Sequence, residues 1–515
     1  MTTATPTRPI THADGARVGW RGWAALVVLM LPVLLVSVDN TVLSFALPAI
    51  ALDLEPTSAQ QLWIIDAYPL VLAGLLVTMG SLGDRFGRRR MLLIGATGFA
   101  VVSVLAAFAP TAGLLIVARA AMGVFGAMLM PSTLSLLRSI FVNRDQRRLA
   151  IAVWAAAFSA GAALGPIVGG VLLEQFAWGS VFLMSVPVLV PLLVLAPLLV
   201  PESRDPAPGR IDLWSIVLSM AAMVPFVYGI KEAAVRGPSA LAIALVISGA
   251  VVAAIFVRRQ RALATPMIDV ALFRRGTFSG ALLVNLLSVI SLVGFLFFVT
   301  QHLQLIVGLS PLQAGLALVP GLVAMIASGL AVVPVAKRFP ARVIVPVALG
   351  FSVIGYLGVA ASTGSITLLV LSFVSLGIGI GAAETVSNEL VLASAPPEKA
   401  GAASAVSETA YELGAVLGTT LLGGVLTALY RANISLPVGV TAESAGAAKE
   451  TLAGAVHAAD QTGGALGTAI ADAAAAAFDA GVTVTSLIGA GLVVLAAVVA
   501  ATTLGGTRAA SADKR

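Results

Sequence analysis

Apolar runs of about twenty residues, the length needed to cross a bilayer's hydrocarbon core, recur along the whole chain. That recurrence constrains the fold more than any other feature of the sequence. A sliding window predicts fourteen spans, at 23–45, 61–81, 91–109, 112–134, 150–172, 178–199, 213–230, 240–257, 278–299, 315–336, 343–361, 367–393, 402–429 and 483–504. Charge content agrees: Asp, Glu, Lys and Arg make up 10% of the 515 residues, against about 25% in soluble proteins. A soluble enzyme, a disordered chain and most nucleic-acid binders are excluded. The stretch after Trp23 is too long for a signal-peptide core and reads as an uncleaved first span.

An even number of spans puts both termini on one side. With the N-terminus in the cytoplasm, 25 of the 30 bases fall in inner segments and four (Lys231, Arg236, Arg431 and Lys449) in outer loops. The excess of Lys and Arg on one side orients the chain with both termini cytoplasmic. It also explains the net charge of +6 without nucleic acid. The remaining base, Arg119, lies inside the fourth span. The absence of Cys rules out disulfides and thiolate sites. Frequent Arg, Ala and Gly beside scarce Lys suit a GC-rich bacterial genome, hence a multi-pass protein of the bacterial inner membrane.

The sequence also repeats itself. GDRFGRR at Gly83–Arg89 matches AKRFPAR at Ala336–Arg342, and GAALG at Gly161–Gly165 matches GAVLG at Gly414–Gly418, both at an offset of 253. Two copies in the same membrane orientation predict a parallel repeat of two six-helix bundles with two inserted helices between them. The expected domains are a tail at 1–22, a bundle at 23–200, a linker with the seventh and eighth spans at 201–277, a second bundle at 278–504 and a tail at 505–515. Within the second bundle, 430–482 is an outer Ala/Gly-rich loop, read as a structural cap in preference to a binding segment. Substrate sites in such folds lie near the midplane between the halves.

Three motifs carry the resemblance to a known family. The loop after the second span reads Gly80-Ser-Leu82-Gly83-Asp84-Arg85-Phe86-Gly87-Arg88-Arg89-Arg90, whose glycines permit a tight turn and close helix approach. Asp84 there can pair with a nearby cation or a helix N-terminus. The fourth span carries Arg119 with Gly123, Gly126 and Ala127, and the fifth carries Gly161, Gly165, Pro166, Gly169 and Gly170. This set resembles the signatures of the major facilitator superfamily. The segments from Asp39 to Pro48, Gln61 to Leu70 and Pro266 to Arg274 are similar to those of its fourteen-helix drug:proton antiporters, within it the exporters of quaternary ammonium compounds and many drugs.

The resemblance implies an all-α exporter that is not an enzyme and needs no cofactor beyond the proton gradient. It implies export of lipophilic cations (quaternary ammonium compounds, dyes and cationic antibiotics) by a monomer in the bilayer. The glycine-rich sets around Asp84 and Pro166 would gate the conformational change. Arg119 would take part in proton transfer, with a structural ion pair to Asp39 as the alternative. An exporter of a self-made metabolite is the second reading. A membrane enzyme is the third, disfavoured because His12, His302 and His457 are dispersed. No phosphate-binding loop of the ATPase kind occurs.

Six acids fall in predicted spans: Asp39, Asp66, Glu384, Glu389, Glu408 and Glu412. A carboxyl inside a membrane is costly unless protonated or paired. One that binds a proton or a cationic drug, but not both, is the physical basis of antiport. Glu408 and Glu412 share a helix face and resist double ionisation. Asp39, Arg119, Glu408 and Glu412 are therefore the proton-coupling candidates. Asp39, Trp63, Asp66, Tyr68, Glu384, Glu408, Tyr411 and Glu412 are the substrate-binding candidates, the aromatic ones through cation–π contact. Asp66 is placed near the outer mouth, as a cation attractor or a solvated acid at the helix start. Met128, Met130, Phe158 and Phe295 are weaker wall candidates. The stretch from Pro320 to Pro334 lacks the acid that some relatives use for divalent cations, so dication handling is less well supported, with Glu384 as the acid that could compensate, and the sequence does not decide between monovalent and divalent cations. No metal site is expected.

Overall fold

A hydrocarbon solvent offers no partner to backbone N–H and C=O groups, so each crossing segment must satisfy its own, and a helix does so. The computed structural model describes residues 18–204, 212–237, 239–263, 266, 268, 270–362, 365–395 and 400–505. Most of both tails, the Pro-rich stretch 205–211 and Asp269 lie outside the described residues.

Among the described residues, fourteen helices are long and apolar enough to cross a membrane. They are α1 (Trp20–Leu54), α2 (Ser58–Phe86), α3 (Arg88–Ala107), α4 (Ala112–Ile140), α5 (Leu149–Gln175), α6 (Ser180–Leu199) and α7 (Leu213–Ala233). The series continues with α8 (Ala240–Ala262), α9 (Gly276–Ile306), α10 (Pro311–Ala336), α11 (Ala341–Ala360), α12 (Ile366–Ala393), α13 (Ala403–Asn433) and α14 (Gly464–Thr503).

The packing order repeats. In the N-terminal half α1 packs on α5 and α6, α2 on α4, and α3 on α4 and α6. In the C-terminal half α9 packs on α13 and α14, α10 on α12, and α11 on α12 and α14. The halves meet where α2 touches α13 and α5 touches α10, pairs that the repeat exchanges. Each half has its own large apolar core.

Helix ends repeat as well. Glu55 (φ 43°) and Gly308 (φ 75°) turn the chain in left-handed conformations, and they are 253 residues apart. Capping boxes follow at Thr57/Gln60 before α2 and Ser310/Gln313 before α10, at the same offset. Local sequence thus fixes where both copies begin to cross.

The glycine stripe of α5 serves two contacts. A Cβ on Gly161 would stand 2.8 Å from Ser37 Cβ and 2.9 Å from Leu34 O on α1. One on Gly165 would collide with Thr41, whose hydroxyl donates to Ala162 O at 3.2 Å. One on Gly170 would stand 2.6 Å from Leu312 Cα, in the other half. The repeat copy has the same arrangement, with Gly414 against Leu286 O and Val289 on α9. Such small-residue contacts are how membrane helices approach closely. Gly165→Leu is expected to destabilise the protein by about 1–3 kcal/mol through overpacking, read as a lower melting temperature in detergent.

The inserted pair α7–α8 forms a hairpin lying against α2 and α13. At its start Asp212 Oδ1 accepts from Arg259 Nη2 at 2.8 Å. That bond, aided by Ser215, pulls the Asp212 carboxyl down to about 2. Its contribution is therefore present above the ordinary carboxylate pKa and is lost only as the pH falls towards 2.

The expected outer loop 430–482 is shorter than the sequence suggested. It holds two short helices, Ala442–Glu450 and Leu452–Thr462, after which α14 already begins at Gly464. With 40 residues α14 is about 60 Å long and extends far beyond one hydrocarbon thickness. Its Ala-rich start has high helix propensity, which a hydropathy window does not register.

Candidate functional site

The seam between the halves gathers the charged groups. Arg119 on α4 is 1% exposed and cannot shed its charge. Its Nη1 donates to Asp39 Oδ2 on α1 at 2.8 Å and its Nε to Ile64 O at 3.3 Å. The Tyr68 ring covers the guanidinium at 4.7 Å. Asp39 is thus committed to Arg119 in this conformation. Tyr68 is fully buried, with its ring turned to that pair.

The C-terminal half supplies acids without such partners. Glu412 on α13 is 3% exposed and hydrogen-bonds Asn40 across the seam, and its Oε2 accepts nothing among the described residues. Glu408 and the Asp39–Arg119 pair lie within electrostatic reach of it. Tyr411 lies within reach of Glu384, Glu408 and Glu412, and its ring meets Phe158 of α5 edge-on at 6.2 Å. Trp154 stacks on Phe158 and extends this aromatic wall. Glu389 is exposed. Phe295, stacked on Phe373 at 4.8 Å, is core and not wall.

Two cavities adjoin these groups. One of about 360 Å³ lies at the arginine-rich end, lined by Gly80, Asp84, Arg88, Met130, Arg138, Trp154 and Glu408. A drug-sized molecule fits a volume of that order. The other, about 60 Å³, is central and draws on both halves, including Asn40, Asp66, Arg119, Met325 and Tyr411. It has room for little more than water.

The opposite end is closed by the cap. Ser58 at the start of α2 donates its N–H to Glu450 Oε1 at 3.1 Å and its hydroxyl to Glu450 O at 2.5 Å. Arg431 lies 3.5 Å from Glu450, and His457 lies 3.4 Å from Glu55. The short helices therefore tie the two halves together at this end.

Asp66 is not at an outer mouth. It is fully buried, 2.8 Å from Lys231 Nζ, and accepts from Thr420 Oγ1 of α13 at 3.1 Å. Lys231, assigned above to an outer loop, lies within α7 and is 2% exposed. Pairing is what makes both burials tolerable. Trp63 faces Lys231 at 3.9 Å, so its indole is occupied by a protein cation.

At the signature loop Asp84 pairs with Arg88 at 2.7 Å, and Arg88 Nη1 donates to Ser135 O at 3.4 Å. Arg85 lies over the Phe86 ring. Only Gly87 needs to be glycine: its φ is 110°, and a Cβ there would stand 2.8 Å from the Glu202 carboxyl. Gly80 and Gly83 would meet neighbours only at ordinary distances. Sequence reading missed Glu202, which accepts from the N–H groups of Arg89 (3.0 Å) and Arg90 (3.2 Å) and so caps α3. An acid placed just after α6 was the available signal.

Residues 29–419 match the Major Facilitator Superfamily. The chain belongs to this superfamily. It is 57% identical over 481 residues to the multidrug efflux pump LfrA of Mycolicibacterium smegmatis, covering 93% of this chain and 95% of that one. It is 36% identical over 466 residues to the methyl viologen resistance protein SmvA of Salmonella typhimurium (89% and 93% covered). Identity to a tetracenomycin C resistance and export protein of Streptomyces glaucescens is 34% over 436 residues (82% and 80%). Among solved structures, a bacterial homolog of the lysosomal transporter Spinster, inward-facing and unoccupied, superposes with a TM-score of 0.66 at 17% identity (94% and 98%), a likeness of fold alone. Both the superfamily and these relatives point to a transporter.

Proposed function

We propose that this member of the superfamily is a proton-coupled exporter of lipophilic cations, working as a monomer in the bacterial inner membrane with both termini cytoplasmic. The carrying observation is Glu412: a buried carboxyl at the seam that makes no ion pair among the described residues. Glu384 and Glu408 flank it, and the Trp154–Phe158–Tyr411 wall faces them.

The arrangement supports the following cycle. With the arginine-rich end in the cytoplasm, the 360 Å³ cavity admits a drug from inside while the cap holds the outside shut. The drug's charge is drawn to Glu408 and its apolar body to the aromatic wall. Its binding displaces a proton from the Glu408/Glu412 pair. The halves then rock about the α2–α13 and α5–α10 contacts and the cap opens. Protons entering from outside neutralise the acids and release the drug. The 57% identity to a multidrug efflux pump supports this reading over a narrow exporter of a self-made metabolite.

Collapsing the proton gradient with an ionophore is expected to abolish ethidium efflux from loaded cells or uptake into inverted vesicles. Export that persists undiminished under the ionophore would rule out proton coupling.

A further inference from the structure

The inserted hairpin carries a charge that this cycle leaves unused. Lys231 belongs to α7, outside both six-helix bundles, yet its ammonium is buried against α2. Asp66 Oδ2 holds it at 2.8 Å, Leu62 O accepts from it at 3.1 Å, and the Trp63 face lies 3.9 Å away. A carboxylate, a carbonyl and an indole face are the elements of an organic-ammonium site. The protein thus places a lysine head where a substrate's cationic head would otherwise sit.

The site is also joined to the drug path. Asp66 lines the central cavity, and its Oδ1 accepts no hydrogen bond among the described residues. Its other oxygen accepts from Thr420, which lies in the π-turn Thr419–Gly423 of α13. Single π-turns within longer helices occur frequently at functional sites. Below the ion pair, Leu70 of α2, Val227 of α7 and Val416 of α13 form a separate apolar cluster. The hairpin therefore rests across one of the two contacts about which the halves must move.

We propose that Lys231 is a tethered counter-cation for Asp66 and sets the charge of the cations the transporter accepts. This rests on the reading of the chain as a cation exporter. With Lys231 in place the ion pair adds no net charge to the cavity, and Glu384, Glu408 and Glu412 alone attract the substrate. Without it the buried Asp66 carboxyl faces the cavity unpaired and holds a proton until a bound cation displaces it, so an occupied site gains one negative charge. Coulomb energy scales with ligand charge, so a dication gains more than a monocation.

The test is equilibrium binding to the purified full-length protein in nanodiscs, with tetraphenylphosphonium as the monocation and methyl viologen as the dication. Lys231→Met is expected to move the affinity ratio towards the dication by about tenfold or more. Lys231→Gln, which keeps a hydrogen-bond donor beside Asp66, should shift it the same way and serves where the methionine variant folds poorly. Lys231→Arg should hold the wild-type ratio, and Lys231→Met with Asp66→Asn should return to it. A ratio within about twofold of wild type in either folded neutral variant overturns the proposal. So does a shift that survives in the double variant, because displacement of the hairpin and not charge would then be its cause. Wild-type protein that binds neither cation removes the export reading and this proposal together. Cation binding with an unchanged ratio removes this proposal alone.

Discussion

Asp39→Asn is expected to cost about 3–5 kcal/mol of folded-state stability, the usual consequence of leaving a buried charge without its partner. The orphaned group is Arg119, 1% exposed, whose remaining hydrogen-bond and ring partners are Ile64 O at 3.3 Å and the faces of Tyr68 and Phe182, with Glu412 in electrostatic reach but not in contact. Neither a carbonyl nor a ring supplies a full countercharge, and a guanidinium cannot escape by losing its proton. Transport should fall with the amount of folded protein, so a transport assay of this variant alone does not report on coupling. The informative comparison is the double variant Asp39→Asn with Arg119→Gln, which removes both charges. It should regain most of the lost stability, because a neutral pair is cheap to bury where a single charge is not. Melting temperatures of the three proteins in detergent read the difference. If Asp39→Asn melts with the wild type, Arg119 has another countercharge and the pair is not structural. If the double variant is as stable as wild type and still exports cations uphill, neither residue couples protons.

The fourteen crossings and the repeat were legible because each is written in local pattern: apolar runs, and short motifs recurring at a fixed offset. Glu408 and Glu412 stood out because no surface role accounts for acids in an apolar run. The partners were not legible. Lys231 sits near the outer end of its apolar run and reads as a flanking charge until α2 and α7 are placed side by side. Asp66 reads as a cation attractor at the outer mouth or a solvated helix-start acid for the same reason, and both residues change meaning once they meet at 2.8 Å. Tyr68 and Trp63 carry the aromatic chemistry a drug site needs, but each already covers a fixed cation of the protein. Ion pairs across helices distant in sequence leave no periodic trace in either helix. Glu202 is a milder case, for its capping of α3 depends on where α6 ends relative to Gly87.

Glu412→Gln should separate coupling from folding where the Asp39 variant does not. The amide keeps the side chain's volume and can still hydrogen-bond Asn40, and no fixed cation is left unpaired by the change. The fold is therefore expected to survive. What the amide cannot do is exchange a proton for a cation. On the proposed exchange each bound monocation displaces a proton in the wild type, so affinity is expected to rise with pH. The gain is about tenfold per pH unit over the range in which the free carboxyl holds its proton, and it vanishes above that range. In Glu412→Gln that slope should flatten and uphill export should stop, while weakened exchange of ethidium down its own gradient continues. Glu408, four residues away on the same helix face, is the group best placed to keep a residual slope. Replacing both with glutamine should abolish it. Binding of tetraphenylphosphonium measured across the pH range distinguishes the cases. A Glu412→Gln protein that retains the full wild-type slope would move the exchanged proton to Glu384 or Glu408 and leave Glu412 a packing residue at the seam.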